Sequence, residues 1–341
     1  MKTETRDKLS DPKLLEMQEA HFSRLEALYA RKPLDYAFVL NGITGHSSVD
    51  PYKETEIWVD EALESLAGQV ERAMDSVVFR PLILECWPYG VHFIDKIFGA
   101  NVYHYEGQWW ADFLDSPVGT LEPPDLDTNE TWQLAKKIAK AFVEPDLPAV
   151  LYAIPVLSSP LNIAVNLYGE KFLVAMYEQP DTVHHDLKVI NNLLCDLHRW
   201  FLQNIPLQQL QAVAASGRCQ PRGFGQLCGC TCHLISPNLY DEFIAPLDDE
   251  LLSVYPNGGM IHLCGFHTQH IPTWRKMKSL RAVQINDTAA EDLEIYFKEL
   301  RDDQIIYLNP TATMTADRAI QITEGQRIVI VADIPKPYQL R

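Results

Sequence analysis

Apolar and polar positions along the chain follow two periods. Over residues 11–31, Leu14, Leu15, Phe22, Leu25, Leu28 and Tyr29 recur near one helical face, with Asp11 and Pro12 in place as cap and first turn. An N-terminal helix packed on a larger body is predicted, so that 1–32 form a helical extension. The run from Asp35 to Leu40 is short, apolar and stopped by Asn41-Gly42, so it reads as a strand; a helical pattern through Trp58, Leu63 and Val70 follows. A second strand is expected from Val77 to Cys86, leading into the aromatic stretch WPYGVHF, then a helix ending at Phe98-Gly99, then HYEGQWWADF. The Pro- and Asp-rich segment from Asp115 to Glu130 reads as a loop without marking a domain boundary.

After that loop the alternation resumes, with a strand at Ala149 to Ile154 and a helix from Asp181 to Gln203 carrying Val183, Leu187, Ile190, Leu194, Leu197 and Phe201 on one stripe. Further apolar runs fall at Gln211–Ala215, Leu227–Cys230, Met260–Leu263, Arg281–Ile285, Gln304–Leu308 and Arg327–Val331, mostly with helix-like stretches between. Strands that read as continuous apolar runs, alternating with helices, predict a parallel sheet covered on both faces. There are enough runs to close an eight-stranded α/β barrel, the (β/α)8 TIM barrel, as one domain spanning residues 1–341. An open doubly wound sheet is the alternative; no glycine-rich phosphate fingerprint follows an early strand, which disfavours a nucleotide-binding version.

Composition narrows the partners. A chain with 47% hydrophobic and 22% charged residues carries enough apolar side chain to bury a large core. Its 46 acidic against 29 basic residues, a formal charge of -17, repel phosphate backbones and anionic lipid, so neither nucleic acid nor membrane is expected as a partner. The stretch from Met1 to Leu9 lacks the apolar core of a secretory signal, which predicts a cytoplasmic location. Seven cysteines in such a compartment are expected to stay reduced.

Four of those cysteines are clustered. His262 and Cys264 sit two apart in GMIHLCG, so on a strand their side chains share a face, and at the carboxyl end of a barrel strand that face is the mouth. Imidazole and thiolate together suit zinc, while a buried thiol beside a hydrogen-bonded core histidine explains the pair equally well. Cys228, Cys230 and Cys232 fall at alternate positions of GQLCGCTCH; if extended, all three face one way, which favours a ligand role. Glu85 and Asp333 end the runs PLILEC and IVIVAD and are expected at the same rim, as are Asn286, Asp287 and Asn309; as catalytic groups they compete with ordinary caps and loop hydrogen bonds. Trp87, Tyr89, Trp109 and Trp110 could floor a pocket for a flat or methylated substrate, or pack beneath a long loop. Arg218 and Arg222 could clamp an anionic substrate, ion pairing at the surface being the plainer role.

The stretch LISPNLYDEFIAPLDDEL, a helix, and then GGMIHLCG resembles the uroporphyrinogen-decarboxylase-like superfamily, in which a Ser-Pro helix precedes a strand ending His-x-Cys-Gly. The resemblance extends back through NLYGEKFLVAMYEQPDTVHHDL and ECWPYGVHFIDKIFG and forward through the QIND and YLNP strands. It implies an α/β barrel with its site in the mouth, and either a decarboxylase or a corrinoid-dependent methyltransferase. The first strand, LDYAFVLNGITG, lacks the arginines with which true porphyrin decarboxylases hold propionates, so methyl transfer leads. In the methyltransferase branch the His-x-Cys pair binds zinc with a later cysteine. His262 and Cys264 match the pair, but no cysteine follows Cys264 here. Either Asp333 or one of Cys228, Cys230 and Cys232 completes a variant site, or the pair holds no metal.

The resulting expectation is methyl transfer between a cobalamin, carried by a partner corrinoid protein, and a small-molecule donor or acceptor. His262, Cys264 and Cys230 are the expected zinc ligands, with Glu85, Asp333 and Asn286 as catalytic groups and Trp87, Tyr89 and Arg222 lining the substrate. A cofactor-independent decarboxylase or lyase and a non-catalytic binding barrel are the alternatives, and a homodimer is one expected form.

Overall fold

The computed structural model describes residues 1–155, 158–211, 217–334 and 336–339. The helix Pro12–Tyr29 is capped by Asp11, whose carboxylate accepts from Lys13 N at 2.9 Å, with Pro12 in the first turn, where the missing N–H costs nothing. The strands are β1 (Phe38–Leu40), β2 (Ile43–Thr44), β3 (Val78–Phe79), β4 (Leu82–Glu85), β5 (Val102–Tyr105), β6 (Gln108–Ala111), β7 (Val150–Ala153), β8 (Leu210–Gln211), β9 (Gly225–Cys228), β10 (Gly259–Cys264), β11 (Leu280–Asn286), β12 (Ile305–Leu308) and β13 (Ile328–Val331). Seven of them form a parallel sheet in the order β3-β1-β13-β12-β11-β10-β9, and β2-β4-β7-β8 form a second parallel sheet. Bonds from Asn41 N to Phe79 O, Ile43 N to Pro81 O and Gly45 N to Ile83 O carry the pairing across the kinks, so β1-β2 and β3-β4 behave as two bent strands that join the sheets. The later segment around HYEGQWWADF forms the antiparallel hairpin β5–β6, turned at Glu106-Gly107, both at positive φ.

Alternate residues of the strands enter two separate cores. Leu82, Leu84, Val150, Tyr152, Ile261, Leu263, Val283 and Ile285 pack outward against helices such as Thr55–Ala67, Glu130–Val143 and Pro180–Asn204. Phe38, Leu40, Phe79, Ile83, Leu151, Ala153, Met260, Ala282, Ile305, Tyr307 and Val329 face the other way into one inner core, where Phe22, Leu25, Leu28 and Tyr29 of the N-terminal helix join them. A sheet buried on both faces accounts for the continuous apolar runs in the sequence. Burial of each such Leu, Ile or Phe contributes roughly 1.5–3 kcal/mol.

The expected eight-stranded ring is not traced completely by its ladders. β8 is only two residues long, and the rest of the run Gln211–Ala215 lies outside the described residues. Among the described residues β9 is linked toward β7 by one parallel bridge, Ser158↔Cys228. From Gly217 to Phe224 the chain leading into β9 enters the inner core instead of passing over the surface. A Cβ on Gly217 would meet Val331 Cγ1 of β13 at 2.6 Å, and Cys219 belongs to the inner core, its carbonyl accepting from Tyr307 Oη at 2.9 Å. Gln220 exchanges bonds with Gln211 and donates to Gly225 O at 2.8 Å. These bonds satisfy a backbone that has no ladder of its own. Among the described residues no helix is long and apolar enough to cross a membrane.

Candidate metal centre

On β10, Ile261 and Leu263 point to the helices, so His262 and Cys264 point inward, both at the carboxyl end of the strand. β9 runs alongside in parallel with His262 opposite Cys228. The strand stops at Cys228 instead of running on to Cys230 as its apolar character suggests. Gly229 takes φ -106° and ψ 22°, donates its N–H to His262 O at 2.9 Å and starts a 3-10 turn through Leu234. A Cβ there would lie 2.9 Å from Ile261 Cγ2, so glycine lets the turn press against β10. The turn folds Cys230 back toward Cys228, leaving their sulfurs 3.4 Å apart. Because the segment is not extended, the three cysteines do not share a face: Cys232 is buried in the outer core, and its carbonyl accepts from the His270 ring at 2.9 Å.

The Cys228 and Cys230 thiols and a His262 ring nitrogen all lie within 4.8 Å of one another. Cys264 Sγ is 3.1 Å from His262 Nε2, and Asn286 Nδ2 donates toward Cys264 Sγ at 3.9 Å. Asn162 Nδ2 donates to Cys228 Sγ at 3.5 Å. Gln284 Nε2 donates to Asn309 Oδ1 at 2.7 Å, which turns the Gln284 oxygen toward His262 Nδ1, also at 2.7 Å. Nδ1 therefore carries the proton, and the Nε2 lone pair faces the thiols, the arrangement in which a histidine binds metal. Two soft sulfurs and this nitrogen fit zinc, whose bonds of about 2.3 Å to sulfur and about 2.0–2.1 Å to nitrogen need only small side-chain adjustments here.

Hydrogen bonding within the cluster favours thiolate. As donor, the Cys230 S–H draws Cys228 and Cys264 below the ordinary thiol value against the opposing cost of burial, while Cys230 itself is pushed strongly up and keeps its proton. One S–H serves one acceptor at a time, so the thiolate character is shared between Cys228 and Cys264.

The interior segment also brings Arg218 within electrostatic reach of these sulfurs. It is largely buried, which lowers its pKa, while the charges of Cys228, Cys230, Cys264 and Glu85 oppose that shift; its Nε has no hydrogen-bond partner among the described residues. Glu85, at the carboxyl end of β4, is raised to about 7, chiefly by burial, while the Trp87 indole, donating to its carboxylate at 2.8 Å, and Arg218 oppose the rise. This end of the sheet thus combines a thiol cluster, a largely buried guanidinium and a carboxyl whose pKa burial raises.

Other expected site residues are placed elsewhere. Asp333 is more than half exposed and held by Arg72 at 3.2 Å and by Arg80, and these guanidinium groups keep it below the usual carboxylate range. It is outside the thiol group. Arg222 emerges at the opposite end of the inner segment, where it pairs with Glu19 of the N-terminal helix, one contact being 2.9 Å, and lies 4.4 Å above the Phe22 ring. It lies near the amino end of β9, whereas the thiols and Glu85 lie at strand carboxyl ends. Tyr89, at φ 60°, packs against Tyr52 at 4.9 Å and Trp109 at 5.3 Å, and Trp110 is 48% exposed. Of these aromatics, only Trp87 bonds to Glu85. Gln284 and Asn162 escaped the sequence reading; the signal for Gln284 was an amide at an inward position of an otherwise apolar strand.

The sequence matches no family model and no curated protein. Among solved structures, the fold is similar to that of a methyltransferase from Methanosarcina mazei, with a TM-score of 0.59, 10% sequence identity, and coverage of 92% of this chain and 93% of that one. At this identity the likeness is one of fold.

Proposed function

We propose that the chain is a zinc-assisted methyltransferase on a (β/α)8 barrel, working with a cobalamin carried by a partner corrinoid protein, as the resemblance to uroporphyrinogen-decarboxylase-like proteins implies. The observation that carries this reading is the donor set of Cys228, Cys230 and His262 at strand carboxyl ends, with Cys264 beside it. The likeness over 92% of the chain to a structure named as a methyltransferase supports it, as does an inner core drawn from so many strands. Cys228, Cys230 and His262 would hold the zinc, which when bound would supply Lewis-acid chemistry, lowering the pKa of a bound thiol or polarising a leaving oxygen or nitrogen. Gln284 holds the His262 ring in register, Arg218 binds an acidic group of the substrate, and Glu85 moves a proton to or from its reacting end. The inward position of these groups keeps them out of bulk water.

The test is metal analysis of protein purified without added zinc, followed by loss of the cobalamin-bound methyl group read by absorbance. One zinc per chain, lost in His262→Ala and in Cys230→Ala together with methyl transfer, is the expected result; protein without metal in every form removes the Lewis-acid mechanism. The buried Arg218 also suits a second reading, a lyase or decarboxylase of a carboxylated substrate that needs neither zinc nor cobalamin. Turnover that survives chelation of metal and disappears in Arg218→Gln would favour it.

A further inference from the structure

The Cys228–Cys230 pair sits in a tight turn that brings its two sulfurs into contact, close enough for a bond between them as well as for a shared ion. Two residues apart on an extended strand, their Cα atoms would stand roughly 6.4–6.8 Å apart, at the far end of the range a disulfide spans. Gly229 bends the chain between them, and the sulfurs meet at 3.4 Å. Both residues are partly exposed, as is Cys264, whereas Cys86, Cys195, Cys219 and Cys232 are buried. The turn is anchored by Gly229 N to His262 O at 2.9 Å and by Thr231 N to Asn162 Oδ1 at 3.2 Å, which hold the two cysteines next to each other.

We propose that Cys228 and Cys230 form a reversible oxidation site, converted to a disulfide by a peroxide, which disassembles the thiol cluster. One sulfur attacks hydrogen peroxide, the O–O bond breaks, and a sulfenic acid and water form. The second sulfur then displaces the hydroxyl as a second water, closing the S–S bond. Two electrons pass from the sulfurs to the peroxide, and the two thiol protons end in the waters. A dithiol reductant reverses the change by exchange. The consequence for zinc rests on the function proposed above; formation of the disulfide does not.

The experiment treats metal-free and zinc-loaded full-length protein with hydrogen peroxide, blocks the remaining thiols, and maps the products by mass spectrometry. In metal-free protein the peptide holding both cysteines should become about 2 Da lighter and recover its mass with dithiothreitol. Cys228→Ser and Cys230→Ser should each abolish the shift, and circular dichroism should confirm that both remain folded; Cys232→Ser should retain it. In zinc-loaded protein the same shift should release the metal to a chromophoric chelator in proportion. A cross-link from Cys230 to Cys264, or over-oxidation of a single sulfur without the internal bond, overturns the proposal. If the disulfide forms but the protein never held zinc, the oxidation site stands and the metal reading falls.

Discussion

His262 donates its Nδ1 proton to Gln284 Oε1 at 2.7 Å, and Gln284 is itself held by Asn309 at 2.7 Å. The relay crosses three neighbouring strands, β10, β11 and the end of β12, so the imidazole is oriented by the sheet itself. A Gln284→Ala substitution frees the ring to rotate and should weaken zinc binding about 10–100-fold. Gln284→Glu keeps an acceptor for Nδ1 and should retain most of the affinity. Competition with a chelator of known affinity measures both, and equal binding by wild type and Gln284→Ala would show that the relay does not position the ligand.

Stability should depend on pH through Glu85. Burial raises its carboxyl from 4.5 to about 7, so its contribution to folding is complete below the unfolded value and is lost as pH rises through 7. In metal-free protein, Glu85→Gln should therefore be more stable than wild type at about pH 8, by on the order of 2–3 kcal/mol, with little difference at about pH 4. Urea unfolding at the two pH values reads this, and a difference that does not grow with pH would place the Glu85 carboxyl outside the desolvated mouth.

Arg222 is bonded to Glu19 and stacked on Phe22 at the end of the inner segment remote from the thiols. Arg222→Ala should lower stability by about 1 kcal/mol, from the lost pair and the lost cover of the ring, and leave metal content unchanged. Denaturant midpoints and metal analysis of one preparation give both numbers. Loss of zinc with unchanged stability would connect Arg222 to the site after all.

Gly217 approaches β13 so closely that an added Cβ would fall 2.6 Å from Val331 Cγ1, and a β-branched side chain has little freedom to yield. Gly217→Ala should cost roughly 1–3 kcal/mol by overpacking, and Val331→Ala in the same chain should restore part of it. Thermal unfolding of the two single variants and the double variant tests the contact. If the costs are simply additive, Gly217 and Val331 do not touch.

The alternation of apolar runs with amphipathic stretches was enough to indicate parallel strands between helices, because a strand buried on both faces leaves a continuous apolar run and a covering helix leaves a stripe. The pairing of His262 with Cys264 on one face was equally legible, since the two-residue repeat of a strand is local. The cap at Asp11 and Pro12 is local too. What the sequence could not determine was which of three alternate cysteines would join that pair. Strand periodicity assigns Cys228, Cys230 and Cys232 to one face, but a turn at Gly229, made possible by contact with Ile261 on the neighbouring strand, folds Cys230 onto Cys228 and sends Cys232 to the outer core. Only tertiary structure decided that Arg218 lies buried beside the thiols while Arg222, four residues on, pairs at the other end, because the segment between them crosses the inside of the sheet. It also decided that Asp333, at the end of a strand like Glu85, is neutralised by Arg72 and Arg80. Local periodicity tells which face a side chain takes; charge partners and burial come from chain segments far apart in sequence.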